Sequence, residues 1–355
     1  MPAAAPRDVA LMRLVSLGLA GPRPVDPLEA VTRLSCVQGQ DLPGALISVA
    51  LRTAGRSVDE VRDALDDGSI VRSWPMRGTL HLVRADDLGW ILSLTGPKVF
   101  SGTAARRAAL GIDEGTLAKA AEVSAAALAD GGLTRAELLT AFDEAGLEPT
   151  SGRGYHLLYQ LAVSGHVHQA HLDGKDQRWV VSQGRLPAPR REGERVELIG
   201  AWFADFVRGH GPVTLADFTR WTGLGVVESR AGAALVTGDL LELDLDGVSA
   251  WVDPAVPDLV AEHRSEARAV RLLPGFDEFI LGYKDRSAQL PVEHETTICP
   301  GGNGVFKGTV VAGGQVVGTW KKGRKVGTVD ATPFGTFSDT RARAVAAVAN
   351  DAPFV

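Results

Sequence analysis

The sequence is short of cysteine: its 355 residues contain two, Cys36 and Cys299, far apart. Such a pair builds neither a disulfide framework nor a cysteine metal site, as expected of a reduced compartment, and Cys36 is expected in the core. No uninterrupted apolar run reaches the length that spans a bilayer. The start, MPAAAPRD, has no basic region followed by an apolar run and a cleavage site, so the expected location is the cytoplasm, with no membrane partner. Excess positive charge is missing as well. The formal net charge is -6, which argues against coating nucleic acid by bulk electrostatics and leaves room only for a local basic groove. No Gly-rich loop ends in GK[ST], no dinucleotide fingerprint follows a strand, and no serine sits in a G-x-S-x-G elbow, so nucleotide-driven chemistry is not indicated. His166, His168 and His171 lie close together, but no suitable third ligand and no cysteine accompany them; a polar strand face is expected there, without a metal.

What is present is a hydrophobic fraction of 45%, enough to build the cores of several compact units. The most informative stretch is Asp26 to Arg52, DPLEAVTRLSCVQGQDLPGALISVALR. Asp26, Pro27 and Glu29 supply an N-cap, a first-turn proline and a carboxylate three residues on. They predict a helix with Leu28, Val31, Leu34 and Val37 on its apolar face, ending near Gln38 with Gly39 in the left-handed conformation. Asp41 and Pro43 then start a second helix carrying Leu42, Ala45, Leu46, Val49 and Ala50. Gln38 and Gln40 thus fall at a junction beside a helix N-terminus, where fixed amides and backbone donors can hold a water or an anion; capping of helix ends is the alternative.

The rest of the chain repeats one order of elements. Residues 1–108 read as helices followed by the hairpin IVRSWPMRGTLHLV, whose alternation puts Trp74, Met76, Leu80 and Leu82 on one face and Arg77, Thr79 and His81 on the other. Residues 109–190 repeat it, with the capping box Thr134 to Glu137, a helix from about Arg153 to Val163, and two strands around the turn Asp173-Gly174-Lys175. Residues 194–262 repeat it again, with Thr214 and Asp217 as N-cap and N3 residues. Helices followed by a two-stranded wing predict tandem winged-helix units. Residues 266–355 change to strands rich in Val, Thr and Gly, expected to form an antiparallel sheet or barrel closed by a helix near Asp339 to Ala347. The expected fold class is therefore α+β, tandem winged-helix units followed by a barrel-like region.

Four stretches, QGQDLPGALISVALR, RSWPMRGTLHLV, GRGYHLLYQLAVSGHV and LLPGFDEFILGYKDR, resemble the AlkZ-type DNA glycosylases of the winged-helix superfamily. These bacterial enzymes remove N7-alkylated guanine and unhook interstrand crosslinks such as those left by azinomycin, a route to antibiotic self-resistance. The resemblance implies DNA repair on double-stranded DNA carrying alkylated or crosslinked guanine, no cofactor, and a catalytic motif of two glutamines flanking an aliphatic residue. That motif falls on Gln38 and Gln40, with Gly39 in place of the aliphatic side chain.

A glutamine amide cannot be a general base, but it can hold a water and point its carbonyl dipole at developing positive charge. Alkylation at N7 already charges the guanine, so the cost of cleavage lies in the oxocarbenium-like sugar and the incoming water. Asp41 is the competing water-activating group. With no lysine in the motif, base excision without strand cleavage is expected. Arg72, Arg77, Thr79, His81 and Arg153, with the run Lys321, Lys322, Arg324 and Lys325, are the candidate DNA contacts; Arg77, Thr79, His81 and the lysine-arginine run are expected to wall an open basic channel. No heptad or isolated dimer helix is evident, and a monomer is expected. A non-enzymatic winged-helix regulator is the main alternative; it would present a basic recognition helix, which the sequence scarcely supplies. An acidic interaction scaffold would bind no DNA at all.

Overall fold

A computed structural model describes residues 4–174, 176–325, 328–351 and 353. The fold is mixed α+β, and the chain forms two compact units, residues 62–195 and residues 1–61 with 196–355.

In the unit 62–195, the antiparallel hairpin Ile70–Met76 and Thr79–Arg84 joins the hairpin Val167–Asp173 and Asp176–Val181 edge to edge, Arg72 facing Gln169. Lys175 of the expected turn lies outside the described residues. Thr134 and Glu137 close their capping box and start the helix Arg135–Glu144, and the helix Arg153–Val163 has the predicted bounds. Trp74, Leu80, Phe142, Leu157, Leu158 and Trp179 share one core. The hairpin 70–84 departs from expectation. Instead of one apolar and one solvent face, Val71, Ser73, Trp74, Met76, Leu80, His81, Leu82 and Val83 are all buried. The cause is tertiary: the helices Ala85–Gly102 and Arg153–Val163 both pack on the strand Ile70–Met76, and Thr95 Oγ1 donates to Pro75 O.

The other unit contains the helices Pro6–Ser16, Pro27–Leu34 and Leu42–Ala50. After residue 195 come the helix Leu215–Thr222, started by the Thr214 and Asp217 capping box, and a three-stranded sheet of Val213–Thr214, Val248–Val252 and Leu241–Leu245. The last region is an open four-stranded antiparallel sheet in the order Val329–Pro333, Gln315–Lys322, Gly308–Ala312, Arg271–Leu273. This corrects the expected barrel: the two outermost strands do not pair, so the sheet does not close. The helix Asp339–Ala349 covers it instead, with Val345 and Ala349 against Leu272 and Val310. RLLPGFDEFILGY, within the region 266–355 expected to turn to strands, is strand only over Arg271–Leu273. Pro274 cannot extend the ladder, Phe276 turns the chain at a φ of 63°, and Asp277 caps the short helix Glu278–Leu281.

Candidate active site

Asp26 starts the first site helix as predicted, accepting from Glu29 N at 2.7 Å, while Glu29 Oε2 accepts from Val25 N at 2.7 Å. The helix ends sooner than expected, at Leu34. Ser35, with φ 61° and ψ -50°, breaks it, and Cys36–Gln38 run on as a short strand. Gly39 is therefore not a helix cap and is not in the left-handed region. The chain then passes from half-buried Gln38 through buried Gly39 to exposed Gln40 and Asp41, directly before the helix Leu42–Ala50. Asp41 occupies the N-cap position, but its side chain makes no capping hydrogen bond. Its carboxylate lies back over the first turn: a Cβ added to Gly44 would stand 2.5 Å from Asp41 Oδ2. Two amides and one carboxylate thus share four residues at a helix N-terminus, whose backbone donors favour negative charge.

Beneath them, the helix Leu42–Ala50 is tied down by charge. Arg52, just past its end, forms a two-pronged pair with Asp277, Nη1 to Oδ2 and Nη2 to Oδ1 at 2.9 Å each, and Ser48 Oγ donates to Asp277 Oδ2 at 2.7 Å. Neither side chain of the pair has any exposure. Burial pushes the Asp277 carboxyl up, but Arg52 and the hydrogen bonds from Arg52, Phe279 N and Ser48 outweigh it and hold the group below its ordinary value. Glu278, next in line, accepts from Trp221 Nε1 at 2.9 Å and faces His210 Nε2 at 3.2 Å. Arg13 lies over the Tyr283 ring, 3.8 Å from its centre, and Tyr283 OH donates to His210 O. The stretch LLPGFDEFILGY is therefore the clamp that fixes the helix behind the glutamines. Sequence reasoning missed it as such, although a signal existed: two adjacent carboxylates inside an apolar run must be paired if buried.

The candidate DNA contacts fall into three groups. Lys321, Lys322, Arg324 and Lys325 are exposed at the end of the strand Gln315–Lys322. Arg77, with φ 52°, is exposed at the hairpin turn, and Thr79 beside it is half-buried. The remaining three are engaged by the protein, which corrects their expected exposure. His81 has no exposed surface, its Nδ1 lying 2.8 Å from Thr79 O. Arg72 donates to Gln169 Oε1 and Gln177 Oε1 at 2.9 and 2.8 Å. Arg153 donates to the carbonyls of Leu110, Gly111 and Leu147, satisfying loop and helix-end acceptors. His168 is buried against Ser182 Oγ at 3.0 Å, and His166 is exposed. Among the described residues no group of three or more His, Cys, Asp or Glu could hold a metal ion.

Amides and a carboxylate at a helix head, on a mixed α+β frame, suit addition of a positioned water better than attack by a side-chain nucleophile. Known proteins match this chain in sequence and fold. A sequence model of the AlkZ-like DNA glycosylases matches residues 31–352. The "Interstrand DNA cross-link repair glycosylase" of Streptomyces sahachiroi is 29% identical over 317 residues, 82% of this chain and 81% of that protein. The solved structure of Streptomyces sahachiroi DNA glycosylase AlkZ superimposes with a TM-score of 0.79 at 27% identity, over 97% of this chain and 94% of the other. The protein is a DNA glycosylase, an enzyme that hydrolyses N-glycosyl bonds. Within that class, the chain belongs to the AlkZ-like family.

Proposed function

We propose that this glycosylase repairs double-stranded DNA by removing N7-alkylated guanine and unhooking interstrand crosslinks, as a monofunctional monomeric enzyme without a cofactor. The observation that carries this is the tetrapeptide Gln38 to Asp41, which places two amides at the head of the helix Leu42–Ala50 together with the Asp41 carboxylate, which makes no capping hydrogen bond. The name of the Streptomyces sahachiroi relative, an interstrand DNA cross-link repair glycosylase, supports crosslinks as substrates.

In this mechanism the charged alkylguanine departs without needing a proton. Gln38 and Gln40 direct carbonyl oxygens at the sugar as it becomes oxocarbenium-like, and they hold the attacking water. Asp41 orients the same water and takes its proton as the new C–O bond forms. Arg77, Thr79 and the run Lys321, Lys322, Arg324 and Lys325 hold DNA phosphates, each within its own unit. Tandem winged-helix units at 1–108, 109–190 and 194–262, with a fourth region at 266–355, complete the proposal. A non-enzymatic regulator is not favoured in a chain of this family.

The test is release of 7-methylguanine from alkylated duplex DNA by the wild type, Gln38→Ala, Gln40→Ala and Asp41→Asn, each melted to verify folding. Loss of release in folded glutamine variants is expected. Full release by both glutamine variants would remove the amides from the mechanism, and no release by the wild type would remove the substrate.

A further inference from the structure

Three stretches of the unit 62–195 contain no Asp or Glu: residues 68–85, 88–112 and 149–172. In a chain with 43 acidic residues this is a local exclusion of negative charge, and the fold draws the three together. Arg106 Nε lies 3.3 Å from His156 Nε2, Gln160 Nε2 donates to Thr103 Oγ1 at 2.9 Å, and a Cβ on Gly78 would stand 2.5 Å from Tyr159 OH and 3.8 Å from Val99 Cγ1. The turn Arg77-Gly78, the end of the helix Ala85–Gly102 and the helix Arg153–Val163 therefore share one surface. Arg77, Lys98 and Arg106 are exposed on it.

At its centre an aromatic column reaches solvent. Trp179 stacks on Trp74, ring centres 5.8 Å apart at 23°, and Trp74 meets Tyr159 edge-on at 5.7 Å. Tyr159 is stacked with Tyr155, 6.3 Å apart at 18°. Tyr155 is 39% exposed, and the Arg135 guanidinium lies over its ring, 5.8 Å from the centre, where it would flank a base stacked on the exposed part of the ring. An exposed ring on an aromatic column, with cations beside it and carried on stretches without Asp or Glu, is the chemistry of a base-stacking platform beside a phosphate track. A paired base keeps both faces inside the duplex and offers nothing to Tyr155.

We infer that this surface binds single-stranded DNA, Tyr155 stacking on an unpaired base while Arg106 and Arg77 meet the flanking phosphates. It rests on DNA as the substrate proposed above, and not on the roles of Gln38 and Gln40. Such a platform would hold a strand locally opened beside a lesion.

The experiment is fluorescence anisotropy with a labelled single-stranded oligothymidylate and a labelled duplex of equal length, for the wild type, Tyr155→Phe, Tyr155→Leu and Arg106→Ala. Tyr155→Leu retains apolar packing and lacks the ring face. It should weaken single-strand binding about tenfold and leave duplex binding unchanged, while Tyr155→Phe keeps both. Arg106→Ala should weaken single-strand binding, more so at low salt. Unchanged single-strand affinity in a folded Tyr155→Leu, or equal losses on both probes, would overturn the inference. Release of 7-methylguanine from duplex, followed in the same variants, separates this outcome from failure of the catalytic assignment.

Discussion

Arg52 and Asp277 meet as a fully buried two-pronged ion pair, 2.9 Å on each side, across 225 residues of sequence. Removing one partner strands the other charge, so Arg52→Ala or Asp277→Ala should cost roughly 3–5 kcal/mol in denaturant unfolding, far more than a surface pair would. The pH dependence follows from the depressed Asp277 carboxyl. A carboxylate held below its ordinary value contributes stability that is complete above the ordinary carboxylate range and is lost as pH falls through the lowered value. Wild type should therefore lose stability on acidification in a window that Asp277→Asn lacks. A parallel acid limb in the two proteins would dismiss the pair as a stability determinant.

Gly44 leaves the room in which the Asp41 carboxylate lies. Replacing it with alanine places a Cβ 2.5 Å from Asp41 Oδ2, and the exposed, flexible carboxylate must swing away. Alanine also favours helix by about 1 kcal/mol over glycine, so Gly44→Ala should melt no lower than wild type. Base release should nevertheless fall, on the order of tenfold or more, because a displaced polar group no longer meets the water. Unaltered release with a displaced Asp41 would assign that carboxylate no part in the reaction.

The capping signals were legible because they are local. Asp26, Thr134 and Thr214 each start the helix expected of them, and each bonds within three residues. The tetrapeptide Gln38 to Asp41 was legible for the same reason, although its strand-to-helix geometry was not: the periodicity of Leu34 and Val37 carries no information about the φ of Ser35. The helix Ala85–Gly102 is not legible in the sequence because Leu88, Trp90, Ile91, Leu92, Leu94 and Thr95 are all buried, its exposed row over 88–97 is only Gly89, Ser93 and Pro97, and that proline lies inside it. Burial of His81 and the partners of Arg72 and Arg153 depend on packing of distant segments, which alternation along a single strand cannot foretell.

His168 is buried, and desolvation with the Arg185 charge pushes its imidazole down from 6.5 to about 4. The unfolded chain then binds the extra proton first. Stability attached to neutral His168 is complete above pH 6.5 and declines toward pH 4, by up to roughly 3 kcal/mol. His168→Gln, neutral throughout, should flatten that limb of the stability curve. The check is urea unfolding at several pH values; identical slopes would mean that the unfolded and folded histidines titrate alike.

A glycosylase that works through amides and a carboxylate forms no imine with the sugar. Incubation with alkylated duplex and borohydride should leave no covalent protein–DNA adduct, and the abasic product should remain uncut until alkali is added. A trapped adduct on a denaturing gel would replace the positioned water with a lysine nucleophile.

The exposed run Lys321, Lys322, Arg324 and Lys325 gives the phosphate assignment a quantitative signature. Each phosphate neutralised releases condensed counterions, so the slope of log affinity against log salt changes by roughly 0.9 per contact. Replacing Lys321 and Lys322 with glutamine should weaken duplex binding at low salt and reduce the slope by up to about twice that amount. The same result is expected for Arg324 with Lys325, and additive effects would mean that all four touch phosphate together. Arg153→Gln supplies the contrast. Its guanidinium is engaged by the carbonyls of Leu110, Gly111 and Leu147, so its loss should lower the melting temperature and leave the salt slope where it was. A changed slope for Arg153→Gln and an unchanged one for the lysines would exchange their roles.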